Sequence, residues 1–300
     1  MLDYYFSLLG DIPKFLEKYL QVPSLLRLKK IGYFCGMDYA SKDIYDFSEY
    51  ISRFDHSLTV ALLTYRFTKR KKDTIAALFH DIATPCFSHV IDYMNKDYEK
   101  QESTEEYTER ILMNDSIFLE CLKIDKIKLE DITNFKKYSI LDNDRPHLCA
   151  DRLDGVILTG MGWTKNVLKS DIKLILDDLS VFKNELNEKE IGFKTLEVAL
   201  RVQEISKRID VYCHSNEDNY MMELLASIAR YAIDKKYITY DDLYYMTEED
   251  VFNLFSSKND KKLDKLLIEF KTKKKKDIPI TQISNIKIRN LNPLVNNKRI

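Results

Sequence analysis

Only seven glycines and six prolines interrupt these 300 residues. So few breakers exclude a turn-dense all-β chain and a collagen-like or linker-rich one. Long helices are what such a chain can build, and the apolar spacing agrees. Within 56–69, Leu58, Ala61, Leu62 and Tyr65 fall on one helical face. The stretch TIAALFHDIA (74–83) reads as the next helix, capped by Asp73 and stopped by Pro85. Another is expected over 103–122, where Ser103-Thr104 followed by Glu106 resembles a capping box. Helical patterns recur at 148–160, 170–186, 194–212, 218–235 and 248–256. Turn clusters such as Asn143-Asp144-Arg145-Pro146 separate them. After a charged helix at 259–272 the pattern changes. Ile278, Ile280, Ile283, Ile286 and Ile288, with polar residues between, predict short strands. The expected architecture is mostly α: a helical domain over 1–257 and a small β-containing C-terminal segment over 258–300.

Charge divides at the same point. Residues 258–300 carry 13 Lys and Arg against 4 Asp and Glu, whereas 1–257 carry 34 against 44. The net charge of −1 therefore hides a body of −10 and a tail of +9. A basic tail on an acidic body suits nucleic acid, a phosphorylated ligand or the body itself. Packing on the body or on a neighbouring subunit is the preferred expectation. No apolar run approaches the roughly 18 residues of a membrane span, and the start Met1-Leu2-Asp3-Tyr4-Tyr5 lacks a basic leader region. Five cysteines without a C-x-x-C pair suit a reducing cytoplasm rather than a disulfide framework.

Five histidines stand at 56, 80, 89, 147 and 214. His80-Asp81 lies in an apolar helical stretch. Adjacent helix positions point about 100° apart, so the pair reaches two sides of one small site with a nitrogen and an oxygen ligand. His56 supplies a second imidazole and Asp151 a fourth donor in this arrangement. A histidine on an apolar helix is more often a hydrogen-bonded core residue than a ligand. Against that, Ala, Leu and Phe surround the pair, and a buried carboxylate must be paired or metal-bound. Mixed His/Asp sets suit Mn²⁺, Fe²⁺, Zn²⁺ or Mg²⁺ alike.

The segments Arg53-Phe54-Asp55-His56-Ser57-Leu58, Ala77-Leu78-Phe79-His80-Asp81-Ile82, Phe87-Ser88-His89 and Asp151-Arg152-Leu153-Asp154 resemble the HD-domain phosphohydrolases. The order H…HD…D, at 56, 80/81 and 151, is that family's ligand pattern. More narrowly, the chain resembles the deoxynucleoside triphosphate triphosphohydrolase branch. Leu26 to Ile31, the run from His80 to His89, Tyr212-Cys213-His214 and Ile286 to Val295 add to this likeness, which spans about 23–295. The resemblance implies an HD-type helical fold and a divalent metal (Mn, Fe, Mg, Zn or Ni) held by His56, His80, Asp81 and Asp151. Arg53, Tyr33, Arg152 and Tyr212 would contact substrate. Asp81, His89 and Glu102 would be the catalytic groups. Asp154, three residues after Asp151, can face the same site and is expected to back a ligand rather than bind. A homo-oligomer is also implied.

Four positions depart from that branch. Thr84 stands where a histidine is usual, and Gln101-Glu102 where a His-Glu pair is usual. Tyr33 replaces a glutamine, and Gly155 replaces a tyrosine after the last ligand. Guanosine tetraphosphate hydrolases and cyclic dinucleotide phosphodiesterases fit less well, since their acidic pair and extra histidines are missing. The expected function is metal-dependent hydrolysis of a nucleotide or related phosphate ester or anhydride, by water attack on phosphorus. The alternatives are a non-catalytic, metal-stabilised nucleotide-binding regulator and a basic tail that binds single-stranded nucleic acid.

Overall fold

The computed structural model describes residues 1–97, 107–280, 287–289 and 291–300. It is mostly helical, with a small sheet built largely from the C-terminal half. The central helix is Arg53–Thr68. Ser52 caps it: its Oγ accepts from the Asp55 amide at 3.1 Å, and Asp55 Oδ2 accepts from the Ser52 amide at 2.8 Å. That reciprocal capping box fixes where the helix starts, three residues before the first histidine. From Arg53 to Thr64 all residues but Asp55 are buried, so this helix is wrapped on every side. Helices Lys71–Phe79, Ala150–Gly162 and Leu2–Leu9 pack against it.

The helix after it differs from expectation at both ends. It runs Lys71–Phe79, with Arg70 at the cap position. Asp73 lies inside the first turn, paired with Arg70 Nε at 3.3 Å. At the other end the bonds tighten: Ile82 donates to Phe79 O at 3.1 Å and Thr84 to Asp81 O at 2.9 Å. Pro85 disfavours helical backbone at Thr84, and Arg27 takes the carbonyls of Ile82 and Thr84 at 3.3 and 2.6 Å. His80 and Asp81 therefore sit just past the helix, in a turn whose carbonyls at Ile82 and Thr84 are held by the Arg27 side chain.

Three other segments also depart. The start expected at Ser103-Thr104 and Glu106 lies outside the described residues. Beyond it are two helices, Thr108–Met113 and Ser116–Asp125. Asp115 restarts the second, accepting from Phe118 N at 3.1 Å and from Ser24 N at 2.9 Å. The expected helix 170–186 ends at Asp178, and Leu179–Lys183 is strand β1. Val181 and Phe182 favour a strand, and Asp178 accepts the amides of Lys194 and Thr195. Finally, the described part of 278–288 holds no strand. Ile280 and Ile288 are 90% and 62% exposed, so these isoleucines have no face to pack on.

The sheet instead comprises β1, β2 (Lys189–Phe193), β3 (Leu294–Val295) and β4 (Lys298–Arg299), in that order. β2 and β3 are parallel, and the other pairs antiparallel. Gly192 permits the parallel contact, since a Cβ there would stand 2.7 Å from Leu294 O. Asn296 and Asn297, both at positive φ, turn β3 into β4 as a two-residue hairpin requires. Arg299 locks the end, its guanidinium gripping Glu185 and the fully buried Glu190 at 2.7–2.9 Å. Upstream, Ser206 Oγ and Gln203 Nε2 donate to the carbonyls of Arg289 and Leu291, so the segment runs along helix Leu196–Cys213. Helix Lys261–Thr272 packs on Asn216–Asp234. No described helix is long and apolar enough to cross a membrane, and all five cysteines are free.

Candidate metal centre

Three elements deliver the ligand set. His56 lies one turn into Arg53–Thr68, His80 and Asp81 follow Lys71–Phe79, and Asp151 opens Ala150–Gly162. His56 Nε2 is 3.0 Å from Asp151 Oδ1 and 3.6 Å from Asp81 Oδ2. His80 Nε2 is 3.6 Å from Asp151 Oδ1 and 3.7 Å from Asp81 Oδ1. Donors about 2.1 Å from one cation stand about 3 Å apart at right angles and about 3.4 Å apart at tetrahedral angles. The observed spacings fall around those values.

The rings are held from behind. His56 Nδ1 meets Asp154 Oδ2 at 2.7 Å, and Tyr5 Oη donates to Asp154 Oδ1 at 2.7 Å. Asp154 is fully buried, so it orients His56 and does not reach the centre. His80 Nδ1 meets Ala77 O at 2.7 Å, and a carbonyl accepts only from a ring N–H. In the neutral ring that bond leaves Nε2 as a bare lone pair, and this buried atom has no hydrogen-bond partner. A dry, unpaired nitrogen aimed between two carboxylates is what a cation ligand looks like without its cation. His56, His80 and Asp151 each offer a donor within 4.8 Å of the others. Asp81 completes the set and is held at 3.0 Å by Arg53 Nη1.

The electrostatics agree. Burial disfavours charge on His56, yet hydrogen bonds to Asp151 and Asp154 raise it to about 10. Burial likewise opposes charge on Asp151, but the hydrogen bond from His56 and the nearness of both imidazoles hold it well below the ordinary carboxylate value. Asp81 is also lowered, by His80 and Arg53 against its burial. Asp81 and Asp151 are thus held ionised, as carboxylate donors to a cation must be.

Residues 53–136 match the HD domain family. The chain carries an HD domain. Over 221 residues it is also 27% identical to the uncharacterized protein YdhJ of Bacillus subtilis (strain 168). That match covers 72% of this chain and 65% of the relative's length. HD domains hold divalent metals and belong with metal-dependent phosphohydrolases, and the His/Asp cluster here has the donors for such an ion.

The HD site opens into a cavity of about 850 Å³. Arg53 and Tyr33 line it beside the cluster, with the guanidinium 4.8 Å over the tyrosine ring. Tyr33 Oη lies 3.1 Å from where a Cβ of Gly155 would be, so two departures from the family pattern meet at one point. His89 also lines the cavity, its Nδ1 2.9 Å from the buried Asp92 Oδ2. Sequence reading overlooked Asp92, although an i, i+3 spacing after His89 was there to see. Arg152 borders the cavity, but its guanidinium ties down Asp142, Asn143 and the His147 carbonyl. Tyr212 packs edge-on against Trp163 at 5.6 Å and is not among the lining residues. Glu102 lies outside the described residues. Tyr5, which braces Asp154, left no signal in the sequence.

Proposed function

We propose that this chain is a metal-dependent phosphohydrolase acting on a nucleotide or related phosphate ester or anhydride. The observation that carries the reading is the unpaired Nε2 of His80, oriented by Ala77 O and converging with His56 Nε2 on Asp151. His56, His80, Asp81 and Asp151 would hold the divalent cation. When bound, such an ion supplies Lewis acidity and a water nucleophile at neutral pH. Arg53 presents a planar fork suited to phosphoryl oxygens and keeps Asp81 ionised. His89, partly open to the cavity, holds or gives a proton at Nε2 while Asp92 fixes its other nitrogen. The basic side chains of Lys136, Lys137 and Arg145 on the same cavity suit a phosphorylated ligand. A homo-oligomer, with residues 258–300 packed on the body or a neighbour, belongs to the same reading.

The experiment is phosphate release from a nucleotide panel with Mn²⁺ or Mg²⁺, beside elemental analysis of the purified protein. Release that disappears in His80→Ala supports the hydrolase. Tight nucleotide binding without release would make the chain a metal-stabilised regulator instead.

A further inference from the structure

The cavity continues past the cation cluster along a path of rings. Tyr33 is 5.1 Å from His56, Phe34 is 5.5 Å from Tyr33, and Phe47 stacks on Phe34 at 4.3 Å. Trp163 and Tyr45 close around Phe47 at 6.3 and 5.5 Å. At the end of this path stands Asp218, in the first turn of helix Asn216–Asp234 and lining the same cavity. Its side chain is not needed to cap the helix, because Ser215 Oγ already accepts the Asp218 amide at 3.2 Å.

Asp218 is 9% exposed, and Tyr45 Oη donates to its Oδ1 at 2.6 Å. Among the described residues no other hydrogen bond reaches this carboxylate. An ionised carboxylate accepts about four. Asp218 lines the cavity, so its remaining acceptor capacity is available to a ligand there. Burial pushes Asp218 up to about 6, which still leaves it mostly ionised at neutral pH. Arg289 and His214 partly offset its charge, and the hydrolase reading places the phosphates at the cation cluster at the other end of the cavity. Aromatic walls beside this oriented acceptor suit a planar ring that carries N–H donors, and Lys287 and Arg289 border the same cavity.

We propose that this lobe receives a heteroaromatic ring of the substrate, and that Asp218, oriented by Tyr45, selects rings bearing amino groups. The inference rests on the hydrolase reading for the placement of the phosphates. It assigns Asp218 as a specificity-determining residue and Tyr45 as its positioning residue.

Two nucleotide pairs that differ by one exocyclic amino group test it: guanosine against inosine triphosphate, and adenosine against purine riboside triphosphate. In the native chain the amino-bearing member should be favoured about 10- to 100-fold, as a hydrogen bond to a charged acceptor implies. Asp218→Asn should bring the ratio near one with cation content unchanged. Tyr45→Phe, which keeps the carboxylate but frees it, should lower the ratio partway, and thermal unfolding reports whether each variant folds. A native chain indifferent to the amino group, or a folded Asp218→Asn that keeps the preference, overturns the proposal. If the native chain releases no phosphate from any nucleotide, the hydrolase reading fails by itself. The ring preference is then read as a ratio of dissociation constants with the cation chelated, where the same outcomes decide.

Discussion

The two ends of the cavity are built on different principles. At the cluster end each imidazole is clamped from behind, His56 by Asp154 and His80 by a backbone carbonyl. The supports come from helices Arg53–Thr68, Lys71–Phe79 and Ala150–Gly162, the most deeply buried part of the molecule. The opposite end is assembled from distant pieces: Tyr45 and Phe47 from an early loop, Asp218 from a late helix, and Lys287, Arg289 and Leu291 from the C-terminal segment. On the proposed function, chemistry that must be positioned to fractions of an ångström would sit on rigid helices, and recognition on segments that can change without disturbing it.

Breaking the rigid end should have the largest effect. Asp151 Oδ1 is the oxygen that both imidazoles share. Asp151→Ala should remove cation binding, seen by elemental analysis, and take phosphate release to background. A variant that keeps a full complement of metal would refute the ligand assignment. Asp154→Asn leaves all four ligands in place but weakens the clamp on His56. Cation affinity should fall about 10- to 100-fold, measured by competition with a chelator, and little should change if Asp154 is mere packing. Because Asp151 and His56 share a proton in the metal-free chain, cation binding displaces it. Affinity should therefore rise with pH until about 10, where His56 loses its proton.

This contrast also explains what the sequence made legible. The proposed donors His56, His80, Asp81 and Asp151 stand out because residues able to hold a cation are a short list of types, here on helices with clear periodicity, and the structure brings them together. Asp154 followed from its spacing to Asp151. Tyr5, Asp92 and Asp218 act through tertiary contacts across 149, 3 and 173 positions. Only the shortest of these left any trace in local pattern. The helix that became β1 was misjudged for the same reason. Leu179–Lys183 takes its conformation from β2, and the parallel partner of β2 lies a hundred residues further on. The helix expected over 74–83 ends at Phe79, and Arg27, from another element, holds the carbonyls of the turn beyond it.

At the recognition end the weakest joint is Arg299. It grips Glu190, which is fully buried and also accepts the amide of Leu148 at 3.1 Å. Arg299→Ala strands that carboxylate and should cost about 3 kcal/mol, within the usual range for breaking a buried pair. Chemical denaturation measures the loss. The C-terminal segment that lines the cavity should loosen, so KM should rise while cation affinity holds. A fall in cation affinity of the same size would show that the two ends are mechanically one.

The subtlest test concerns Glu248, which braces the loops on either side of the cluster end. Its Oε1 accepts from Phe87 N at 3.3 Å, the Gly32 amide also bonds to it, and Oε2 is buried without a partner. Asp38 Oδ2, likewise unpaired, lies against the same glycine. Burial first, and then the charge of Asp38, raise Glu248 from its ordinary 4.5 to about 8. An acid raised on folding binds its proton more tightly in the folded chain than in the unfolded one. Its contribution is full below about pH 4.5 and is lost progressively as pH climbs toward 8. Glu248→Gln keeps an acceptor for the two amides and places a donor near Asp38. The variant should flatten the fall in stability between pH 5 and 8, a gain on the order of 2 kcal/mol at the upper end. Unfolding curves across that window measure it. Parallel curves for the two proteins would mean that Glu248 is ionised throughout and that the brace is an ordinary charged one.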